Sequence, residues 1–335
     1  MKKIINTPEA FSTETVEGIL LAHPDRLKAL NNDLQIVVRN DEVKKGKVSV
    51  VTGGGSGHLP VFLGYVGQGM LDGCAVGNVF ASPSANKMYT MIKGCDNGAG
   101  VLCLYGNYGG DNMNFEMACE LADMDDIKAA QIRVSDDVAS APLENKHKRR
   151  AVAGLVYAWK IAGAAADKML PLEDVIAVTN HGLDNLRSMG VALTPCIVPM
   201  AGKPTFSIGE DEMEVGMGIH GEPGIEVRKK MTAKETVTVL LDKITADMPL
   251  KKNDEVAIMV NGLGGTPLEE LYICYKEAYE YLNHIGVTVY KPYIGEFATS
   301  MEMAGMSLSV LKLDNTLKEM LDYKASTPFF TNENK

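Results

Sequence analysis

Apolar residues along the chain fall into two alternating patterns, short continuous runs and longer helical stripes. The short runs end in glycine or polar residues, as buried strands do; they are VSVVT (48–52), GVLCLYG (100–106), AAQIRVSDD (129–137), VALTPCIVP (191–199), EVAIMVNGLGG (255–265), GVTVYKPY (286–293) and SLSVLKLD (307–314). The stripes predict helices over 114–123, 149–169, 171–188, 232–246 and 267–284. This alternation predicts an α/β fold: two α/β domains with mixed, largely parallel sheets flanked by helices.

Two of the predicted helices carry capping signals at their starts. Thr232 with Glu235, and Thr266 with Glu269, have the spacing of a capping box. Gly286 follows the last predicted helix, in the position that often ends a helix. We therefore expect both helices to begin at these threonines.

The chain length indicates two domains. Its 335 residues exceed the size of a typical single domain. A boundary near residue 190 predicts an N-terminal α/β domain over 1–190 and a C-terminal α/β domain over 191–335. The tail after Thr327 is expected to be frayed.

Charge and cysteine usage narrow the class of protein. The formal net charge of −10 argues against nucleic-acid binding and against contact with anionic membranes. The six cysteines are scattered without a C-x-x-C pair, which is typical of reduced structural thiols. The start MKKIINTPEAF lacks the apolar core of a signal peptide, and no run of about 18 apolar residues occurs. We expect a cytoplasmic protein with no membrane contact.

The stretch VVTGGGSGHLP (50–60) combines a strand signal with a glycine run and a histidine. Glycines after a strand can adopt positive φ and expose backbone N–H groups to a ligand. The spacing fits neither a P-loop nor a dinucleotide-binding loop, because no lysine follows and His58 stands where the third glycine belongs. Two interpretations remain open from these residues: a ligand-binding loop, or a tight turn with a solvent-facing His58.

Three further segments combine glycine with polar residues: YGNYGGDNMNFE (105–116), GMGIHGEPG (216–224) and NGLGGTP (261–267). Asp111 follows a strand, where ligands bind in α/β sheets, but the cap of the next helix is an equally simple role. His58 and His220 are each enclosed by glycine and followed by proline. Two histidines and an aspartate could ligate a cation, yet no metal-binding spacing supports this, and we predict no metal.

The chain resembles the dihydroxyacetone kinase family, specifically its substrate-binding K subunit. The similarity extends in order from about residue 1 to residue 325. The motifs that carry it are GGGSGH (53–58), GYVGQGML (64–71), NYGGDNMNFE (107–116), VPMAGKPTF (198–206), EMEVGMGIHGEPG (212–224) and VNGLGGTPLEELY (260–272). The resemblance implies two α/β domains, a homodimer, and a site for a small ketone without a nucleotide site of its own.

The resemblance also implies roles for individual residues. A neutral imidazole nitrogen of His220 attacks the ketone carbon and holds the substrate as a hemiaminal. Glycerol has no carbonyl group and is therefore not trapped. His58 acts as acid and base, and Asp111 takes the proton from the primary hydroxyl as it attacks phosphorus. The implied substrate contacts are Gly55, Ser56, Gly57, His58, Gly106 and Asp111.

The family implies that the phosphoryl donor is bound by a partner. One form of the family fuses a nucleotide-binding domain to the K region and uses ATP. The other places ADP and Mg on a separate L subunit, which a phosphoenolpyruvate-dependent phosphotransferase protein, the M protein, recharges. This sequence ends just past the K region and resembles the separated form.

Departures from the family pattern leave the substrate and the exact role open. Leu59 replaces the usual Glu after GGGSGH, and Gly109 replaces a Thr. Gly106 stands where most members have a lysine that contacts a substrate hydroxyl. The pocket then suits either dihydroxyacetone or a longer ketose such as erythrulose. The chain could also be a ketone-sensing transcriptional coactivator or a binding protein without phosphoryl chemistry, while the retained His58, Asp111 and His220 favour catalysis.

Overall fold

The computed structural model describes residues 2–333, and the backbone divides into two compact units. We call unit N the residues 2–134, 156–182 and 316–333, and unit C the residues 135–155 and 183–315. This division differs from the single boundary predicted at residue 190. The strand over 186–192 crosses that boundary and pairs within the sheet of unit C, so the chain cannot be divided there.

Eleven helices and strands from the first part of the chain belong to unit N; two of these helices extend into unit C, the fourth by its first residue and the fifth by its last two residues. They are α1 (Phe11–Ala22), β1 (Leu27–Leu30), β2 (Asp33–Arg39), β3 (Ser49–Ser56), β4 (Gly73–Val79), α2 (Ala85–Cys95), β5 (Val101–Gly106), α3 (Gly109–Asp123), β6 (Ala129–Val134), α4 (Leu155–Asp167) and α5 (Leu172–Asp184). The chain returns to this unit at its end, in α8 (Asn315–Asp322), β13 (Ala325–Ser326) and β14 (Thr331–Asn332).

The sheet of unit N has the strand order β1-β2-β4-β3-β5-β6. Strands β4, β3, β5 and β6 run parallel to one another, and β1 and β2 extend the sheet in antiparallel pairing. The carboxyl ends of the parallel strands therefore meet at one edge, where α/β sheets bind ligands. Helices α2 and α3 pack on the sheet through buried apolar side chains, among them Met88, Met91, Phe115 and Ala118.

Unit C contains β7 (Leu186–Ala192), β8 (Glu212–Val215), β9 (Glu226–Lys229), α6 (Ala233–Asp247), β10 (Glu255–Gly262), α7 (Leu268–His284), β11 (Thr288–Gly295) and β12 (Gly305–Leu313). Its strand order is β11-β10-β12-β7-β8-β9. The β10–β11 pair is parallel and the other pairs in this sheet are antiparallel. The α/β class with two mixed sheets is thus confirmed, although this second sheet is largely antiparallel. The short connection over 296–304 contains no helix that could carry the chain across to a parallel position.

Several predicted helix and strand boundaries are corrected by side-chain hydrogen bonds. The capping box at Thr232 is confirmed, with Glu235 accepting the Thr232 N–H at 2.8 Å. Thr266 does not cap α7, because its hydroxyl is bonded to the backbone of Gly305. The predicted helix over 149–169 begins only at Leu155, after a segment whose N–H groups bond to the buried carboxylate of Asp136.

Three other sequence predictions fail, two in the same region and one at the chain end. The predicted helix over 171–188 ends at Asp184. The strand predicted over 191–199 is found at 186–192, so the two ranges share only residues 191 and 192. Up to residue 333 the tail after Thr327 is not frayed: Phe330 is buried, and the Asn332 amide donates to the carbonyl of Leu321 at 3.0 Å. Such contacts with distant residues carry no local sequence signal. The prediction for residues 334 and 335 lies outside the described residues.

Between residues 2 and 333, none of the helices combines the length and the apolar content that crossing a membrane requires.

Candidate active site

The predicted site residues of unit N lie at the carboxyl edge of its parallel strands. Strand β3 ends at Ser56 and its neighbour β5 ends at Gly106, and α3 begins three residues later at Gly109. The structure therefore brings to one edge of this sheet the residues Gly55, Ser56, Gly57, His58, Gly106 and Asp111.

The glycine run 53–55 is part of a strand, which corrects the expectation of a loop. These residues pair with β4, and within 53–57 it is Gly57 that has a positive φ, +100°. A Cβ at Gly54 would lie 2.3 Å from the ring of Phe62, and one at Gly55 would lie 2.7 Å from the backbone nitrogen of Ala81. The glycines are therefore required by close packing on both faces of the strand.

Ser56 is fixed by a hydrogen bond that decides what it can offer a ligand. Its hydroxyl donates to the carbonyl of Gly77 at 2.8 Å, and the Ser56 carbonyl accepts the N–H of Phe80. Because the single hydroxyl proton is committed to Gly77, the Ser56 oxygen remains able to accept a hydrogen bond. A hydroxyl group of a small ligand could donate to it.

His58 is enclosed by two aromatic rings. Its side chain is buried, with a relative exposure of 1%, so the interpretation as a solvent-facing turn residue is wrong. Its ring stacks on Phe80 at 4.8 Å between centroids and meets the edge of Phe62 at 6.0 Å. Both phenylalanines have a left-handed backbone, with φ of +56° and +69°, a conformation that costs about 1–3 kcal/mol. No sequence pattern pointed to these two residues.

Asp111 lies in the first turn of α3. The residue that caps this helix is Tyr108, so the interpretation of Asp111 as the N-cap is wrong. The Asp111 side chain is buried, and a carboxylate near a helix N-terminus is stabilised by the helix dipole. Burial, together with the charge of Asp111, raises the pKa of the Cys74 thiol well above its usual range, so Cys74 stays protonated.

The segment 80–83 connects these parts of the site. Phe80 stacks on His58, and the Ala81 backbone lies against Gly55. The amide of Asn114 donates to the Pro83 carbonyl at 2.8 Å, which attaches the first turns of α3 to this segment. One wall therefore positions both His58 and the helix that carries Asp111.

His220 lies in unit C, on the loop over 216–225 that joins the antiparallel strands β8 and β9. The GMGIHGEPG segment (216–224) thus lies at the tip of a hairpin. Gly216 and Gly221 adopt positive φ, +83° and +82°, where the loop turns. A Cβ at Gly221 would lie 3.1 Å from Thr205, so the VPMAGKPTF motif packs against this loop.

Glu222 is attached to His220 through both carboxylate oxygens. Oε1 lies 2.8 Å from His220 Nδ1, and Oε2 accepts the His220 backbone N–H at 2.9 Å. Burial opposes ionisation, but the hydrogen bond and the charge of His220 outweigh it and lower the pKa of Glu222 to about 2. Glu222 is part of the EMEVGMGIHGEPG motif, but no role is predicted for it from the sequence. Its position two residues after a glycine-flanked histidine could have indicated a contact with that histidine.

A buried ion pair is hydrogen-bonded to the backbone of the hairpin loop. Arg150 donates to the buried carboxylate of Asp137 at 2.7 Å and to the carbonyls of Gly216 and Pro223 at 3.0 and 3.4 Å. Burial outweighs the attraction of Arg150 and raises the pKa of Asp137 to about 6. Both ends of the His220 loop are thereby bonded to one guanidinium group.

The fourth glycine-rich segment, NGLGGTP (261–267), serves the fold of unit C. The side-chain oxygen Oδ1 of Asn261 accepts the N–H groups of Phe297 and Ala298, and its side-chain nitrogen Nδ2 donates to the Ser307 hydroxyl. Over the described range 2–333, no group of three or more His, Cys, Asp or Glu side chains is arranged to hold a metal ion.

The geometry defines a class of protein: a two-unit α/β protein with buried His58 and Asp111 at a sheet edge of one unit and a carboxylate-bound His220 on a hairpin of the other. The chain belongs to the Dak1 domain family, which matches residues 17–329. The resemblance to dihydroxyacetone kinases is thereby confirmed.

Three known proteins illustrate this membership. The dihydroxyacetone-binding subunit DhaK of PTS-dependent dihydroxyacetone kinase 1 from Listeria innocua is 44% identical over 315 residues, covering 94% of this chain and 95% of that protein. An L-erythrulose 1-kinase from Mycolicibacterium smegmatis is 40% identical, covering 98% of this chain and 58% of that protein. The structure of the dihydroxyacetone kinase operon co-activator Dha-DhaQ matches with a TM-score of 0.90 at 31% identity, covering 96% of this chain and 98% of that one.

Proposed function

We propose that this chain is the ketose-binding subunit of a phosphoenolpyruvate-dependent dihydroxyacetone kinase. The observation that carries the proposal is the end-to-end similarity to the Listeria innocua DhaK subunit, in which 94% of this chain aligns with 95% of that protein. That relative is a subunit of a PTS-dependent kinase, which favours the phosphoenolpyruvate-dependent form of the enzyme for this chain. The erythrulose kinase, by contrast, extends well beyond the region that this chain matches.

His220 holds the substrate covalently. The lone pair of a ring nitrogen forms a bond to the ketone carbon, and the carbonyl electron pair moves to oxygen, which takes up a proton from His58. The product is a hemiaminal that keeps the hydroxymethyl groups in place. This bond selects ketones over glycerol, because glycerol offers no electrophilic carbon.

Asp111 activates the substrate hydroxyl. Its carboxylate, buried in the first turn of α3, accepts the proton of the primary hydroxyl as that oxygen attacks phosphorus. The helix dipole favours the ionised carboxylate, which is the form that a general base requires. Ser56 accepts a hydrogen bond from a second hydroxyl group, because its own proton is committed to Gly77.

The phosphoryl group comes from a nucleotide with Mg on a partner L subunit, which an M protein of the phosphotransferase system recharges. No nucleotide or metal is assigned to this chain. We also propose a homodimer, on the basis of the family resemblance.

Two substitutions test these roles separately. His220→Ala should abolish the mass increase of the intact protein with dihydroxyacetone and abolish turnover, because it removes the nucleophile. Asp111→Asn should keep the mass increase but lower turnover by about 100-fold or more, because it removes the general base. Turnover is measured as dihydroxyacetone phosphate formed with an L subunit, an M protein and phosphoenolpyruvate.

His284→Ala is the matched control, because His284 is an exposed histidine at the end of α7 in the same unit. It should leave adduct and turnover unchanged. A wild-type chain that forms no adduct, or an Asp111→Asn chain with full turnover, would contradict the assigned roles.

A second candidate function is a ketone-sensing coactivator, and the structural match to the Dha-DhaQ co-activator favours it. The same assay separates the two functions. An adduct without any turnover in the complete system supports the coactivator, whereas turnover supports the kinase subunit.

A further inference from the structure

The carboxylate of Glu222 bonds to His220 through both of its oxygens. One oxygen lies 2.8 Å from the ring atom Nδ1, and the other accepts the backbone N–H of the same residue at 2.9 Å. The two side chains are only partly exposed, 23% for His220 and 29% for Glu222. A two-point contact of this kind fixes both the backbone and the ring of His220 relative to one carboxylate.

The backbone of the loop is shaped to admit this carboxylate. A Cβ at Gly218 would lie 2.2 Å from Glu222 Oε2, so any other residue there would collide with it. The Gly218 N–H donates to the Glu222 carbonyl at 3.1 Å, which folds the loop back on itself. Arg150 also approaches Gly218, but its charge is already paired with Asp137 at 2.7 Å. The Glu222 charge therefore acts mainly on His220.

The contact decides the tautomer of the histidine ring. An ionised carboxylate can only accept hydrogen bonds, so Nδ1 must carry the proton that it shares with Glu222. In the neutral ring the lone pair then belongs to Nε2, which makes Nε2 the nucleophilic atom. The low pKa of Glu222, about 2, keeps its carboxylate ionised throughout the neutral range.

The contact also acts on the product of the attack. When Nε2 bonds to the ketone carbon, the carbonyl electron pair moves to oxygen, which is protonated, and the ring still carries the Nδ1 proton. The ring is then a cation, and a carboxylate at 2.8 Å from Nδ1 stabilises it. The negative charge of Glu222 therefore slows the reverse reaction, in which the carbon–Nε2 bond breaks and its electron pair returns to Nε2.

We propose that Glu222 is the positioning residue of the covalent step: it holds His220 as the Nδ1–H tautomer, directs the Nε2 lone pair at the ketone, and stabilises the cationic ring of the adduct. This inference rests on the proposed hemiaminal on His220. It goes beyond that proposal in naming the group that fixes the tautomer and the orientation of the His220 ring.

The test compares Glu222→Gln and Glu222→Asp with Glu226→Gln. Glutamine keeps the size of the side chain but loses the charge, and aspartate keeps the charge at a shorter reach. Glu226 is the matched control, because it lies four residues away on β9 and pairs with Arg228 at 2.8 Å rather than with a histidine. A thermal melt of each variant checks that the fold is intact.

The first readout needs no substrate. Long-range nitrogen–proton NMR of the imidazole rings, with the His220 signals identified by their loss in His220→Ala, should show the Nδ1–H form in the wild type and in Glu226→Gln. Glu222→Gln should shift the population towards the Nε2–H form. A wild-type spectrum dominated by Nε2–H, or an unchanged spectrum in Glu222→Gln, would overturn the proposal even if every chain binds ketose.

The second readout is the rate of adduct formation with dihydroxyacetone, followed by intact-protein mass. Glu222→Gln should be about 10- to 100-fold slower than the wild type, by analogy with the loss seen when the carboxylate that orients a metal-binding histidine is removed. Glu222→Asp should recover part of that loss, and Glu226→Gln should match the wild type within about twofold. Equal rates in Glu222→Gln and the wild type would contradict the proposal. An absent adduct in the wild type would instead refute the proposed function, while the NMR result would still stand.

Discussion

At the residue scale, Gly106 is the position with the clearest consequence for substrate choice. It ends β5 next to α3 and is buried, yet it has no side chain that could bond to a ligand. The family resemblance implies a lysine at this position. The chain is similar both to a dihydroxyacetone-binding subunit and to an erythrulose kinase, so we test whether this position sets the choice of ketose.

Gly106→Lys should raise kcat/KM for dihydroxyacetone relative to erythrulose. A charged hydrogen bond to a substrate hydroxyl contributes about 1.5–3 kcal/mol, which corresponds to about 10- to 100-fold, and the added side chain also fills the space that a longer ketose needs. The measurement is the ratio of kcat/KM for the two ketoses in the reconstituted kinase.

Gly109→Lys is the control for that ratio. Gly109 is exposed, and a Cβ there meets no atom within 4 Å, so the variant adds the same charge three residues away without entering the sheet edge. Its ratio should stay at the wild-type value. If Gly106→Lys leaves the ratio unchanged as well, Gly106 does not set the choice of ketose.

At the element scale, the hairpin that carries His220 depends on a buried ion pair. Arg150 joins the carboxylate of Asp137 to the carbonyls at both ends of the loop. Burial raises the pKa of Asp137 from 3.8 to about 6, so this carboxyl is harder to ionise in the folded chain than in the unfolded chain. The contribution of the Arg150–Asp137 ion pair to the free energy of unfolding must therefore depend on pH.

Between pH 4 and pH 6 the free energy of unfolding should fall less with rising pH in Asp137→Asn than in the wild type. A folded-state pKa above the unfolded value adds stability below about pH 4, and this contribution is lost as the pH rises through about 6. The full effect corresponds to at most about 3 kcal/mol. Calorimetry at several pH values should show the difference in melting temperature between Asp137→Asn and wild type moving in favour of the variant as the pH rises.

Asp184→Asn serves as the comparison, because Asp184 is exposed and pairs with Lys146 at the surface of the same unit. Its melting temperature should follow the wild-type pH profile. A parallel profile for Asp137→Asn would mean that burial does not hold the proton on Asp137.

At the scale of the whole molecule, unit N is completed by the end of the chain. The Thr327 hydroxyl donates to the Gly64 carbonyl at 2.8 Å, and Arg26 donates to the Thr327 carbonyl at 2.9 Å. The ring of Phe330 packs on Tyr65 at 6.0 Å, and Tyr65 in turn packs on the single tryptophan, Trp159. Thr327 and Phe330 therefore belong to the core of this unit.

Phe330→Ala should lower the free energy of unfolding of unit N by about 3–5 kcal/mol, because it leaves a cavity where an aromatic ring was buried. Urea unfolding followed by the fluorescence of Trp159 reports on this unit, since that buried side chain lies within it. Phe329→Ala is the neighbouring control: Phe329 is 43% exposed, so its loss should be clearly smaller. Equal losses for the two variants would show that the tail does not contribute as a packed element.

The sequence by itself determined the features that depend on neighbouring residues. Apolar periodicity predicted the alternation of strands and helices, and Thr232 with Glu235 predicted a cap whose atoms lie within one helical turn. Long motifs identified the family and drew attention to His58, Asp111 and His220. These features can be predicted from the sequence because each depends on residues that are close together in the chain.

The tertiary structure decided what depends on residues that are far apart in the chain. The glycines at 54 and 55 are needed because Phe62 and Ala81 pack against them, and His58 is buried because Phe80 covers it. The order of strands in unit C and the return of the chain into unit N are likewise set by packing between remote segments. Close packing brings together residues regardless of their separation along the chain, so these contacts cannot be predicted from a local sequence pattern.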